Sequence, residues 1–225
     1  TFIRNFSIRV LGDSKAFEHI KTAVVSLLCE YGDYPDKECV LQDLNIVNNP
    51  GYVYVKGNGT VTISGQTIDF GRLGGNFGLS SAVLDDIEKV EISASKVITI
   101  ENLTTFNSFV DRDAFVIYLG GYHNSIRRNM IQKIYENNPD KKYYHYGDID
   151  AGGFYILQDL RRKTGIPFAP LNMNLGTIKK YKNYTKKLTE NDRSRLKNLL
   201  GGEYDEVINY MLENDCKLEQ EAIDQ

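Results

Sequence analysis

The segment spanning residues 142–153, KYYHYGDIDAGG, holds the residues best suited to chemistry. Its tyrosines favour a β-strand, and Gly147 marks the end of that strand. Because alternate side chains of an extended chain share a face, Asp148 and Asp150 should point the same way. Two carboxylates after the carboxyl end of a strand suit a hard divalent cation such as Mg²⁺. An Asp-rich turn that caps the next helix is an equally good interpretation of this segment alone.

A third carboxylate, Glu101, follows another predicted strand at residues 97–100. The carboxyl ends of parallel strands meet at one edge of a sheet, so Glu101, Asp148 and Asp150 should surround a common point. Carboxylates there could hold one or two Mg²⁺ or Mn²⁺ ions, which would bind a phosphate oxygen and lower the pKa of a bound water. Gly152 and Gly153 would let a bulky anionic substrate approach the N-terminus of the following helix.

The elements that must position these side chains alternate between strand and helix. After residue 95, strands are predicted at 97–100, 114–119, 143–146 and 166–171, and helices at 104–110, 125–136 and 154–163. Such alternation is typical of an α/β fold in which helices flank a parallel sheet. We therefore predict a catalytic domain over residues 96–225.

The first 95 residues have a different pattern. A strand is predicted at 5–12, an amphipathic helix at 17–28, a hairpin from 52–56 and 60–64 that 67–70 extends into a meander, and a helix from Ser80 through Val90. This mixture predicts a small α+β domain over residues 1–95. Helices followed by a hairpin are also compatible with a winged-helix arrangement.

A basic segment lies downstream of the Asp-x-Asp motif. Residues 176–200 contain eight Lys or Arg against two acids. Its densest part interleaves Tyr181 and Tyr184 with Lys179, Lys180, Lys182, Lys186 and Lys187. Lysines among aromatic side chains suit phosphate contacts with stacking on the rings, as in DNA binding. A solvated loop and helix face is the alternative interpretation.

Composition limits the class of protein. The 225 residues are 41% hydrophobic and 25% charged, as in ordinary globular domains, and the net charge of −3 means that any nucleic-acid binding needs a local basic patch. No apolar run approaches the length of a transmembrane helix, so we expect no membrane partner. Cys29, Cys39 and Cys216 lack metal-ligand spacing and predict free thiols of a reducing compartment, the cytoplasm.

A strand that ends in Glu, followed by one that ends in Asp-x-Asp, resembles the Toprim domain of topoisomerases, primases and some nucleases. A wider set of segments resembles the carboxy-terminal region of the JetD family, the nuclease subunits of Wadjet plasmid-defence systems. These segments are SIRVLGDSK at 7–15, ENLTTF at 101–106, YLGGY at 118–122, HYGDIDAGG at 145–153 and LEQE at 218–221. The resemblance covers almost the whole chain.

This resemblance implies roles for individual residues. Glu101 would be the Toprim glutamate, a metal ligand or general acid/base, and Asp148 and Asp150 would be the metal-binding pair. Glu219 and Glu221 fall on a family motif and could support the metal site or make structural contacts. Gly147, Gly152 and Gly153 would support the same centre.

The resemblance also implies an activity and partners. We expect a Mg²⁺- or Mn²⁺-dependent DNA endonuclease that acts as a homodimer with an SMC-like motor complex on double-stranded, closed circular plasmid DNA. Related topoisomerase VI A subunits instead use a tyrosine nucleophile, so a transesterase is one alternative. A DNA-binding assembly module without activity of its own is another. Asp-x-Asp also occurs in glycosyltransferases, although the basic segment and the wide resemblance disfavour that class.

Overall fold

The computed structural model describes residues 1–32, 40–44, 46–121 and 125–223. Cys39 and the last residue of the YLGGY segment, Tyr122, lie outside the described residues. The chain divides into two compact units, Thr1–Pro50 and Gly51–Gln225. The boundary predicted at residue 95 falls inside the second unit, because strands from both sides of that residue share one sheet.

The described part of the first unit is helical. Its helices are α1 (Ile3–Leu11), α2 (Ala16–Tyr31) and α3 (Val40–Asp43). The amphipathic helix predicted at 17–28 is confirmed as α2. The strand predicted at 5–12 is wrong, since Ile3 and Ser7, one helical turn apart, are buried while the alternating Ile8 and Val10 are 54% and 57% exposed. The predicted meander belongs to the second unit, whereas α1, α2 and α3 belong to the first. The winged-helix arrangement of helices and hairpin therefore stays a prediction.

The second unit contains two sheets. Its strands are β1 (Tyr52–Gly57), β2 (Gly59–Ile63), β3 (Gln66–Asp69), β4 (Phe77–Ser80), β5 (Ile87–Ile92), β6 (Lys96–Ile100), β7 (Ala114–Tyr118), β8 (Lys142–Tyr146) and β9 (Ala169–Pro170). The larger sheet has the order β4-β1-β7-β6-β8-β9, and the smaller one has the order β3-β2-β5. From β7 to β9 neighbouring strands run parallel, whereas β1 and β4 join antiparallel. The predicted α/β fold with a mostly parallel sheet is confirmed.

Helices connect and flank these strands. They are α4 (Phe70–Leu73), α5 (Leu103–Ser108), α6 (Ser125–Asn137), α7 (Ala151–Thr164), α8 (Leu175–Lys180), α9 (Glu190–Lys197) and α10 (Asp205–Asn214). The central strands β6 and β7 are buried almost throughout, as expected of a sheet covered on both faces. None of the helices in the described ranges has the length and apolar character needed to cross a bilayer. The Toprim assignment itself stays a prediction from the sequence.

The register of the central strands determines where the site residues lie. Ile100, the last residue of β6, pairs with Tyr118 on one side and with Tyr146 on the other. The backbone N–H of Glu101 then donates to the Tyr146 carbonyl at 3.0 Å. The residues that follow β6 and β8 therefore leave the sheet side by side, at the same edge.

Two further predictions before residue 95 are wrong. The strand β1 does not form a hairpin with β2 but pairs with β4 and β7, although the β2–β3 hairpin is present. Gly57 explains the change of direction, because it has a φ of +111° and a Cβ there would lie 2.3 Å from the Ala114 carbonyl oxygen. The helix predicted through Val90 is instead a short 3₁₀ turn followed by β5, which pairs with β2.

The side chain of Asn138 joins the smaller sheet to the end of α6. Its Nδ2 donates to the carbonyl oxygens of Val90 and Ile134, each at 2.8 Å, and its Oδ1 accepts from the Ile92 N–H at 2.8 Å. The side chain is 4% exposed, so water cannot replace these bonds.

We expect Asn138→Ala to lower the free energy of unfolding by about 2–4 kcal/mol, because it leaves buried backbone groups of β5 without partners. Urea unfolding would measure the change. Asp140→Ala, at a nearby side chain that is 77% exposed, is the control. Equal stability of the two variants would contradict this role of Asn138.

Candidate functional site

Asp148 and Asp150 leave the chain on one face, as predicted. Both are partly exposed, whereas Ile149 between them is fully buried. Ile149 also pairs antiparallel with Leu218, with N···O distances of 2.9 and 3.1 Å. This pairing holds the Asp-x-Asp segment extended, which is the condition for alternate side chains to share a face.

Glu101 lies partly buried at the same edge of the sheet. Burial raises its pKa to about 8, and repulsion from Asp148 and Asp150 acts in the same direction. A hydrogen bond from the backbone N–H of Asp148 opposes this shift. The Oε2 atom is buried and has no hydrogen-bond partner among the described residues. Glu101 thus presents an oxygen that a proton or a cation would stabilise.

Asp148 lies in a similar environment. Burial raises its pKa to about 6, and the nearby carboxylates of Asp150 and Glu221 add to the shift. The backbone N–H of Gln220 donates to Asp148 Oδ1 at 2.7 Å and opposes it. The two carboxyl groups therefore share burial and repulsion from Asp150 and Glu221 as causes of their raised pKa values.

Asp150 begins the helix α7. Its Oδ1 accepts from the Gly153 N–H at 2.8 Å, so the helix-cap interpretation of this aspartate is confirmed. The same residue still acts electrostatically on Glu101 and Asp148. Capping a helix and belonging to a carboxylate cluster are therefore compatible roles at this position.

Two glycines allow the close approach of these groups. A Cβ at Gly147 would lie 2.8 Å from Glu101 Oε2, and one at Gly153 would lie 2.2 Å from the carbonyl oxygen of Asp148. A side chain at Gly152 would press on the Asp150 carboxylate at 3.1 Å. Gly153 thus excludes a side chain because the close atoms are backbone, whereas a side chain at Gly147 would displace the Glu101 carboxylate or the His145 ring, which supports the role predicted for these glycines.

The donor set fits a hard divalent cation. Glu101, Asp148 and Asp150 offer carboxylate oxygens, one of which is buried without a donor, and a cation would relieve the repulsion that contributes to the raised pKa values. However, within residues 1–32, 40–44, 46–121 and 125–223, no group of three or more His, Cys, Asp or Glu side chains forms a ready-made metal cage. The electrostatic coupling of Glu101, Asp148 and Asp150 supports the predicted convergence, whereas a complete coordination sphere stays a prediction.

Residues 216–223 contact the residues of the site, and we call this segment the C-terminal strap. Its Glu221 Oε1 accepts from Asn102 Nδ2 at 2.6 Å, and its Glu219 Oε1 lies 2.5 Å from Lys186 Nζ. Gln220, between them, is fully buried. The sequence singled out the two glutamates but missed Gln220 and Asn102. The motif LEQE was the available signal, yet nothing local marks its amide as buried.

His145, on β8, is another polar residue that the sequence did not place in the site. Its ring is fully buried, and its Nδ1 lies 3.0 Å from Thr99 Oγ1 on the neighbouring strand. A Cβ at Gly147 would lie 2.9 Å from His145 Nε2 and 2.8 Å from Glu101 Oε2. A buried imidazole therefore lies close to the Glu101 carboxylate.

The predicted DNA-binding lysines are all exposed: Lys179, Lys180, Lys182, Lys186 and Lys187. Lys179 Nζ lies 5.4 Å from the centre of the Tyr210 ring, and Lys180 Nζ lies 4.8 Å from that of Tyr181. The backbone of Lys186 pairs with that of Lys217 in the strap. The next strap residue, Leu218, pairs with Ile149 in the Asp-x-Asp segment. The basic segment is therefore linked to the carboxylates through Lys217 and Leu218.

The raised pKa of Glu101 predicts that, without divalent cations, stability falls as the pH rises. The unfolded chain ionises this group at its ordinary pKa of 4.5, whereas the folded chain keeps the proton up to a pKa of about 8. Between these values the folded state binds more protons. The free energy of unfolding should therefore fall, by up to about 3 kcal/mol between about pH 5 and about pH 8.

Urea unfolding in EDTA at several pH values would measure this loss. Glu101→Gln cannot ionise and should flatten the dependence, whereas Glu213→Gln, at an exposed side chain, should retain it. If Glu101→Gln showed the slope of the parent, the burial of this carboxylate would not have the energetic effect described.

Comparison with known proteins places the chain in a family. A family model described as the C-terminal region of Wadjet protein JetD matches residues 62–225. The Wadjet protein JetD of Bacillus cereus (strain Q1) is 30% identical over 231 residues, and the match covers 98% of this chain and 56% of that protein. The chain thus spans little more than half the length of its curated relative. The matched range includes the ends of β6 and β8, the Asp-x-Asp segment and the strap. The chain belongs to the family of JetD C-terminal regions.

Proposed function

We propose that this chain is the catalytic region of a divalent-metal-dependent DNA endonuclease subunit in a Wadjet-type defence system. The observation that carries the proposal is the electrostatic coupling of Glu101, Asp148 and Asp150 at one edge of a parallel sheet. Clusters of buried carboxylates with raised pKa values are typical of functional sites, since a stable fold gains nothing from their repulsion. Membership of the JetD family supports the reaction class.

The residues at this edge have separate tasks in the proposed reaction. Glu101, Asp148 and Asp150 would hold Mg²⁺ or Mn²⁺. When bound, the ion supplies a Lewis acid that lowers the pKa of the attacking water and offsets charge on the phosphate. Asp150 is oriented by its bond to the Gly153 N–H. The first turn of α7 behind it favours an anionic phosphodiester, because the helix dipole is positive at that end.

The exposed lysines support double-stranded DNA as the substrate. A basic segment next to the carboxylates would draw the phosphate backbone to an edge that is itself acidic. We propose closed circular plasmid DNA as the target, an SMC-like motor complex as the partner and a homodimer as the active form, with one site for each strand. These features are what the resemblance to JetD proteins implies, and they concern a protein longer than this chain.

Glu101→Ala and Asp148→Ala should each reduce plasmid cleavage by a factor of about 100 or more, because each removes a proposed ligand of the metal ion. The measurement is conversion of closed circular plasmid to cut forms by the full-length protein with its partner complex, in Mg²⁺ or Mn²⁺. EDTA should stop the parent. Glu213→Ala, at an exposed carboxylate outside the site, is the matched control.

Cleavage by both variants at the rate of the parent would refute the carboxylate site. The same reactions, resolved under denaturing conditions, separate two chemistries. Hydrolysis releases free DNA ends, whereas a tyrosine nucleophile would leave protein covalently attached to the DNA. A covalent adduct would replace the proposed hydrolysis by a topoisomerase VI-like reaction.

Changing Lys179, Lys180 and Lys182 together to Ala should weaken DNA binding and reduce its salt dependence, by about one unit of log–log slope for each lost phosphate contact. Fluorescence anisotropy of labelled duplex DNA across a salt series measures both effects. The control changes three exposed lysines elsewhere to Ala, namely Lys89, Lys142 and Lys163, and so matches the change in net charge. Equal affinity and slope in the two triple variants would make the basic segment an ordinary solvated surface.

A further inference from the structure

We infer that Gln220 is a positioning residue of the candidate site, whose side-chain amide sets the spacing between the strand ends that carry Glu101 and Asp148. The inference rests on the proposed function, since it assigns a role within that same site. Gln220 is 0% exposed. Glutamine is mostly exposed in folded proteins, and a buried one must satisfy its polar atoms internally.

Both ends of the amide bind backbone groups at the edge of the sheet. Gln220 Oε1 accepts from the Asn102 N–H at 3.0 Å, and Gln220 Nε2 donates to the Tyr146 carbonyl oxygen at 2.6 Å. Tyr146 is the last residue of β8, and Asn102 follows the end of β6 by two residues. The amide therefore bridges the two strands as a peptide group of a neighbouring strand would.

The bridge lies where the regular pairing of the sheet ends. The last backbone hydrogen bond between β6 and β8 runs from the Glu101 N–H to the Tyr146 carbonyl oxygen. Beyond it, Asn102 caps the start of α5, and Gly147 leads into the Asp-x-Asp segment. Gln220 fills the gap that opens there, so Glu101 is fixed by the sheet on one side and by the amide bridge on the other.

The backbone of Gln220 acts on the second carboxylate. Its N–H donates to Asp148 Oδ1 at 2.7 Å. One residue thus holds the main chain next to Glu101 and also orients the Asp148 side chain. Its neighbour Glu221 strengthens the same link, because its Oε1 accepts from Asn102 Nδ2 at 2.6 Å.

Glutamine has the chemistry that this position requires. The site needs one acceptor and one donor a few ångströms apart, and a carboxamide offers both. Methionine would fill a similar volume without either, leaving the partly buried Asn102 N–H and part of the Tyr146 carbonyl unpaired. Loss of such outer contacts in metal sites commonly costs about 10- to 100-fold in metal affinity.

The test measures Mn²⁺ binding to the full-length protein by titration calorimetry, separately from cleavage. Gln220→Met should weaken Mn²⁺ binding by about 10- to 100-fold, while the protein stays folded by circular dichroism. Hydrogen exchange of the backbone N–H of Asn102 should become faster in this variant, because the acceptor of that N–H, Gln220 Oε1, is lost. Gln158→Met makes the same chemical change at an exposed position of α7 and should leave both measurements unchanged.

Gln220→Asn keeps the carboxamide but is one methylene shorter, so it cannot span both strands and should weaken Mn²⁺ binding as well. If Gln220→Met fails to fold, Mn²⁺ binding by Gln220→Asn is the measurement that tests the inference. If Glu101→Gln lowers Mn²⁺ affinity but the folded Gln220 variants match the parent, the inference is overturned and the proposed site stands. If the parent and Glu101→Gln bind Mn²⁺ equally, the proposed site fails, and the inference fails with it.

Discussion

The carboxylates of Glu101, Asp148 and Asp150 repel one another where β6 and β8 end, and the fold must hold them together in partly buried surroundings. Parallel pairing of β6 with β8 fixes the two main chains side by side. Gly147 and Gly153 then remove the side chains that would keep the groups apart. Much of the local structure around this edge is therefore explained by one requirement, the confinement of like charges.

Several weaker contacts share that task. The Gly153 N–H, the Gln220 N–H and the Asp148 N–H each donate to one carboxylate of the cluster. Such hydrogen bonds favour the ionised forms and oppose the effect of burial. The balance leaves Glu101 with a pKa of about 8 and Asp148 with one of about 6, because burial and repulsion outweigh these hydrogen bonds.

The parts of this fold that depend on local pattern could be predicted from the sequence. Buried β-branched and aromatic runs marked β6, β7 and β8, and the helices between them followed from their apolar spacing. The partner of β1 could not be predicted, because Gly57 diverts the chain towards a strand more than 50 residues away. The helix α1 was misjudged since its apolar residues also alternate. The two aspartates and Glu101 were recognisable, but the buried amide of Gln220 depends on partners 118 and 74 positions away.

The long separation between Gln220 and its partners has a consequence for how the protein is made. Everything that forms the central sheet, from β6 to β9, leaves the ribosome before the strap does. During that interval the ends of β6 and β8 lack the amide bridge, and Asp148 lacks the N–H that orients it. A nascent chain can thus acquire its sheet while its acidic edge is still open. Completion of the site is delayed until the strap has been translated and has docked.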